Sequence, residues 1–409
     1  MAVASDRILG LDVARGLAIL GMFAAHTVQQ PDFSWADPSS WGAVVNGRSS
    51  ILFAILAGIS LAILSGRRTP VDGLALVQAR MRILIRAVIV FGIGGVLALL
   101  GSGIAVILEY YAVIFVLSLP FLRWSPRRLF AAAGVWAVVG PVLVVLLKSV
   151  VAWSEGLLTP PAPMGSALYE YLTGFYPVVT WVVFMLLGLG VGRLAIESTR
   201  VQAGLVAVGA GICAVGYALG SLLAPLGAPM AAFGVERLTA DVHSLDGVIA
   251  VTGSSLLGAA PHSGSPFEVV GSSGFALAVI GLCLLAARAR PMRVLLTPLS
   301  SMGQMALTIY TAQVVAVWVL VVSTQQRPND WAVFWCFAVA SMAIAVLWRA
   351  LRGQGPLERL LSTVSKRAAD PRPRAADGAG SALLESPVRP GEGTRVPSST
   401  TSKENHPHG

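Results

Sequence analysis

Residues 9–28 read Leu9-Gly-Leu-Asp12-Val-Ala-Arg15-Gly-Leu-Ala-Ile-Leu-Gly-Met22-Phe-Ala-Ala-His26-Thr-Val28, with Asp12 and Arg15 set inside an otherwise apolar run. A helix needs roughly 20 mostly apolar residues to cross a bilayer, because every backbone N–H and C=O must be satisfied within the segment. This stretch has that length. Nine further apolar runs lie near residues 49–64, 83–100, 103–122, 129–147, 174–195, 203–224, 268–287, 299–323 and 331–350. Together they predict an all-α, polytopic membrane bundle of about ten transmembrane helices. The bulk composition agrees, at 55% hydrophobic and 12% charged with a mean hydropathy of +0.75, whereas soluble chains are about a quarter charged.

The formal net charge of +9 does not imply nucleic acid, because the basic residues sit in short loops beside the apolar runs. Arg67, Arg68, Arg80 and Arg82, then Arg123, Arg127 and Arg128, then Arg193 and Arg200 fall on the side of Arg7, as do Arg288, Arg290, Arg293, Arg349 and Arg352. The opposite loops are richer in Asp and Glu. This positive-inside pattern predicts a multi-pass plasma-membrane protein with both termini cytoplasmic. Cys213, Cys283 and Cys336 lie in apolar runs without metal-ligand spacing and read as small buried hydrophobes. The charges inside the first run make it a retained span rather than a cleaved signal peptide.

Residues 1–352 therefore form one transmembrane helical domain. Residues 353–367, with Leu357, Leu360, Leu361 and Val364, read as a cytoplasmic amphipathic segment, and the Pro/Ser/Gly-rich residues 368–409 as a disordered cytoplasmic tail. Two outer stretches, 29–48 and 225–267, are long enough to be functional. In the second, Val248–Val251 would dip back into the membrane only if protein or a wet cavity surrounds it. Gly188 and Gly192 have the spacing of close helix packing.

On a helix, positions 12, 15, 19, 22 and 26 advance by three, four, three and four and make one stripe. At about 1.5 Å per residue, Arg15 and His26 stand roughly 16 Å apart, one toward each aqueous side. Intramembrane charges are costly and normally pair or face a cavity, and Asp12 with Arg15 would neutralise each other near the inner interface. His26 has no partner in its own helix. Glu109 is most economically paired with Arg86, and interhelical hydrogen bonds are the simplest role for Gln304, Tyr310 and Gln313. Asp241, His243 and Asp246 match no strong metal motif and read as solvated loop polarity. No metal site is assigned.

The run Arg7-Ile-Leu-Gly-Leu-Asp-Val-Ala-Arg-Gly-Leu-Ala-Ile-Leu-Gly-Met-Phe-Ala-Ala-His26 resembles the opening signature of transmembrane acyltransferases. That superfamily includes the acyltransferase-3 proteins and the heparan-alpha-glucosaminide N-acetyltransferase-like proteins. In the former an arginine, ten residues and a histidine mark the first helix, as Arg15 and His26 do here. Asn46 to Leu61 is similar to the second helix of the N-acetyltransferase-like branch, and Pro298 to Tyr310 to a segment of a related bacterial family of uncharacterised membrane proteins. The lysosomal N-acetyltransferases carry a histidine in the loop after the first helix, whereas Asp32 to Trp41 has none.

The resemblance implies transfer of an acetyl or other acyl group from cytoplasmic acyl-CoA, typically acetyl-CoA, as a donor substrate rather than a permanently bound cofactor. The acceptor would be a sugar, a lipid-linked glycan or a small molecule at the membrane. His26 would be the base, Arg15 an electrostatic group on the donor path and Asp12 the residue that orients it. Arg15, Arg82 and Arg86 are the candidates for the donor phosphates. Arg48, Glu109, His262, Glu268, Gln304, Tyr310 and Gln313 are candidates on the acceptor path. Membrane lipid is the expected surrounding, and a homo-oligomer stays open. The competing class is a multi-pass transporter or exporter that uses the polar stripe for substrate or proton movement.

Overall fold

The computed structural model describes residues 7–157 except 32 and 35, then 167–226 and 256–369. The expected re-entrant Val248–Val251, the Asp241, His243 and Asp246 cluster and all but the first two residues of the 368–409 tail lie outside them. The described residues form fourteen helices and no strand, the all-α class expected. In chain order these are α1 (Leu9–Thr27), α2 (Arg48–Leu64), α3 (Gly73–Leu99), α4 (Leu108–Leu117), α5 (Pro126–Leu157), α6 (Ala167–Thr173) and α7 (Val178–Gly192). They continue as α8 (Thr199–Leu223), α9 (Pro266–Ala286), α10 (Arg290–Leu295), α11 (Thr297–Gln304), α12 (Ala306–Thr324), α13 (Trp331–Arg352) and α14 (Pro356–Ala368).

Eight helical segments are long and apolar enough to span, so two of the ten expected crossings are shorter than a span. The 103–122 run yields only α4, ten residues and about 15 Å. Gly101 and Gly103 take positive φ, +65° and +74°, and keep the preceding chain out of the helix. The 174–195 run yields the fifteen-residue α7, which starts after Pro177. The 83–100 run is the second part of a longer helix, α3, whose start is set by Asp72 accepting from the Gly73 N–H. The 299–323 run is broken at Met305 into α11 and α12. Cys283 is buried as expected, but Cys336 is exposed on α13, where lipid accepts a small apolar side chain as readily as protein does.

The first helix is central: 67% of its apolar window is buried, against 17% for α13. It packs against α2, α9, α11, α12 and α13. The α1–α11 crossing is close because both partners lack a side chain where the backbones meet. A Cβ on Gly303 would collide with the Asp12 carbonyl, and one on Gly16 with the Leu299 carbonyl. Gly188 of α7 lies against the Ile55 carbonyl of α2 in the same way.

Arg193, 4% exposed at the end of α7, gathers the C-terminal end of α2 and the chain after it. Its guanidinium donates to the carbonyls of Ala62, Ser65, Arg67 and Leu122 and to Ser65 Oγ. A helix C-terminus presents unpaired carbonyls, which a cation there satisfies. At the C-terminal end of the bundle, the Glu358 carboxylate of α14 accepts from Thr308 N at 3.0 Å and Thr308 Oγ1 at 2.6 Å, capping the first turn of α12. Arg86 of α3 reaches Ser365 of α14 at 3.4 Å.

Candidate functional site

The polar stripe of α1 runs between two cavities. On one side Arg15 donates to Asp12 Oδ1 at 2.6 Å and to Ser60 Oγ of α2 at 2.9 Å. Asp12 is 2% exposed, and its second oxygen lies 4.0 Å from Arg7. Arg7 in turn donates to Gln304 Oε1 at 2.9 Å, beside the break between α11 and α12. Arg7, Arg15 and Arg86 all border a cavity of about 290 Å³ whose other walls include Tyr111, Tyr310 and Glu358. Arg82 is not on its wall, and the Arg82 Nε is buried without a hydrogen-bond partner.

On the other side lies a larger cavity, about 860 Å³, walled by His26, Gln29, Gln30, Asn46, Tyr176 and His262 among others. Gln313 of α12 places its amide oxygen 3.1 Å and its nitrogen 3.0 Å from His26 Nδ1. The amide thus meets either tautomer and leaves Nε2 to a substrate. The C-terminal end of α1 is pinned by the chain entering α13, where Asp330 N donates to the Thr27 carbonyl at 2.9 Å and the Asn329 side chain accepts from Gln29 N at 2.8 Å. Both amide atoms of Gln30, buried at the cavity wall, have no hydrogen-bond partner. One side chain, Met22, borders both cavities.

His262 comes from the loop ahead of α9. It adopts φ +61°, a left-handed conformation that costs a branched or bulky residue free energy unless its surroundings hold it. Glu268 supplies the hold: its carboxylate accepts from His262 N at 2.6 Å, Gly264 N at 2.7 Å and Ser263 Oγ at 3.3 Å. Ser265 then caps α9 by accepting from Glu268 N. The imidazole lies against Phe175, ring centroids 4.4 Å apart, and Tyr176, 6.1 Å. Burial and the nearby His26 lower the His262 pKa to about 4, so it is neutral at physiological pH.

The sequence candidates therefore divide by place. Arg15, Arg86, Gln304 and Tyr310 meet at the first cavity, His26 and His262 at the second, and Gln313 buttresses His26. Glu268 acts on the backbone of the His262 loop. Arg48 does not join them: its Nε donates to Tyr217 OH at 2.7 Å and its guanidinium covers the Tyr217 ring at 4.5 Å. The expected Glu109–Arg86 pair is absent among the described residues. Glu109 packs against Gly94, two turns along α3 from Arg86. Met22 and Gln30 went unassigned in the sequence, although Met22 lies on the stripe itself. Arg7 precedes the first run, and Tyr176, at the edge of the 174–195 run, comes before α7 begins, so neither carried a periodic signal.

A multi-span bundle with an arginine-walled cavity and a histidine-walled cavity meeting on one helix has the parts of a membrane acyl-transfer enzyme. The family described as "Heparan-alpha-glucosaminide N-acetyltransferase, catalytic" matches residues 7–221, and the chain belongs to it. It is an acetyltransferase integral to a membrane. Residues 248–367 match a second family, described as "Protein of unknown function (DUF418)". No curated protein matches the chain significantly. The described part of the 248–367 match includes α9 to α14, so the second cavity combines a histidine from each matched region.

Proposed function

We propose that the chain takes an acetyl group, or another acyl group, from cytoplasmic acyl-CoA and delivers it to a sugar, lipid-linked glycan or small-molecule acceptor on the far side of the bundle. The observation that carries this reading is Met22, shared by a cavity bordered by Arg7, Arg15 and Arg86 and one bordered by His26. Phosphates favour the guanidinium side. The thioester arm runs beside α1 toward His26, and Met22, unbranched and easily turned aside, sits where the arm must pass.

At the far end the Nε2 of His26 accepts the acceptor's proton as the new bond to the acyl carbon forms, and returns it to the departing sulfur. Asp12 holds Arg15 in place. Both termini lie in the cytoplasm of a plasma-membrane protein, in keeping with the arginines of the connecting loops. The test uses purified protein, labelled acetyl-CoA and a panel of glycan and lipid acceptors. His26→Ala should lower transfer by about a hundredfold or more, with donor binding retained. Undiminished transfer overturns the role of His26. Absence of acyl-CoA binding, with substrate flux in proteoliposomes, overturns the enzyme reading in favour of a transporter.

A further inference from the structure

One imidazole suffices to acylate an alcohol, since the single proton lost by the acceptor is the one gained by the thiol. An amine poses a larger demand. It arrives as an ammonium ion, and its nitrogen must shed two protons before an amide results. We propose that His262 is a second catalytic base, which takes the first proton from an ammonium acceptor while His26 takes the second. The inference rests on the acetyltransferase reading above.

Three observations carry it. His26 and His262 stand on the wall of one cavity and are close enough to interact electrostatically. The His262 imidazole has stacking neighbours in Phe175 and Tyr176, and the hydrogen bonds recorded at this residue engage its backbone. Its backbone is held at φ +61°, a left-handed conformation uncommon for histidine, by the Glu268 carboxylate. The titratable and charged groups that touch it or share its cavity are His26 from α1, Tyr176 from the loop before α7, Glu268 from α9 and Arg327 from the α12–α13 loop. Glu268 is committed to backbone N–H groups, so it does not compete for the ammonium proton. Arg327 is a cation and cannot accept it.

His262 accepts a proton from the ammonium, whose freed lone pair attacks the thioester carbonyl carbon. A C–N bond forms, and the second proton passes to His26. The C–S bond breaks, sulfur leaves with the electron pair and takes that proton as a thiol. The proton on His262 leaves to the outer solution. Neutral at physiological pH, His262 does not repel the ammonium, and with a pKa of about 4 it holds the proton only in passing to the outer solution.

The experiment compares methyl glucosaminide and methyl glucoside as matched amine and alcohol acceptors, with acetyl-CoA as donor, for the full-length chain and for His262→Asn and His262→Gly. Both replacements tolerate the left-handed backbone. Amine transfer should fall by about tenfold to a hundredfold near pH 6.5, recover toward wild type near pH 9.5 where the amine arrives neutral, and be rescued in the glycine variant by added imidazole. Alcohol transfer should fall less than amine transfer at about pH 6.5 and show no recovery between about pH 6.5 and about pH 9.5, because no ammonium is involved. Equal loss on both acceptors, a deficit independent of pH, or use of the alcohol alone overturns the second base. Unchanged amine transfer overturns it too. A wild-type chain that transfers to neither acceptor instead refutes the reading on which it rests.

Discussion

Replacing Arg15 with Met removes the cation from a carboxylate that is 2% exposed. Breaking a buried ion pair by deleting one partner costs about 3–5 kcal/mol, because the remaining charge is stranded. Two features soften the loss: the Arg15 side chain is 21% exposed, and Arg7 stands 4.0 Å from the other Asp12 oxygen. The lower end, about 3 kcal/mol, is therefore expected. At roughly 2 °C per kcal/mol for a large domain, the apparent Tm in detergent should fall by about 6 °C. Asp12→Asn added to Arg15→Met removes the stranded charge and should restore most of that stability. Asp12→Asn alone should cost less, since Arg15 keeps Ser60 and reaches the cavity. Rescue of stability should not rescue the donor: both Arg15 variants should raise the KM for acetyl-CoA by roughly tenfold, the scale of one lost charge-assisted hydrogen bond. A double variant no more stable than Arg15→Met refutes the stranded-carboxylate argument. One that regains donor affinity refutes the role of Arg15 on the donor path.

Met22→Trp should fill the junction of the two cavities and lower transfer by about a hundredfold, while acetyl-CoA still binds; normal transfer by this variant would show that the path runs elsewhere. Arg193→Met strands the carbonyls at the C-terminal end of α2 and should destabilise the bundle by about 3 kcal/mol, read as a lower apparent Tm; unchanged melting would sink the assignment. His262 has a folded pKa of about 4 against 6.5 unfolded, so the unfolded chain binds more protons between those values. Its contribution to stability is complete above about pH 6.5 and lost as pH falls toward about 4. His262→Asn should flatten the Tm–pH curve in that window, and an unaltered curve would contradict the burial argument.

Much of the architecture was legible because lipid imposes a length and a composition that ten apolar runs display. The failures of that reading share a cause. Hydropathy shows that residues 103–122 are apolar, but the positive φ of Gly101 and Gly103 decides that only ten of them become α4. The 299–323 run reads as one segment despite the polar Ser300, Ser301 and Gln304 near its start, yet its chain breaks at Met305, between the glycine-mediated crossing on α1 and the start of α12. The site was half legible. The spacing of Asp12 and Arg15 set their pairing, because neighbours three apart on a helix meet. Glu109 was assigned to Arg86 by charge economy, and the packing of α4 on α3 put it beside Gly94 instead.

By itself the sequence determined the helical membrane class, the central stripe of Asp12, Arg15 and His26, and its likeness to an acyltransferase opening. Periodicity and hydropathy act along one chain segment, so they survive without knowledge of neighbours. Only the tertiary structure decided that Gln313 would meet His26 from 287 positions away, that His262 would share the His26 cavity, and that Met22 would border both chambers. Those relations depend on which helix faces which. Close glycine crossings and buried caps fix that choice through packing, and no local period records it.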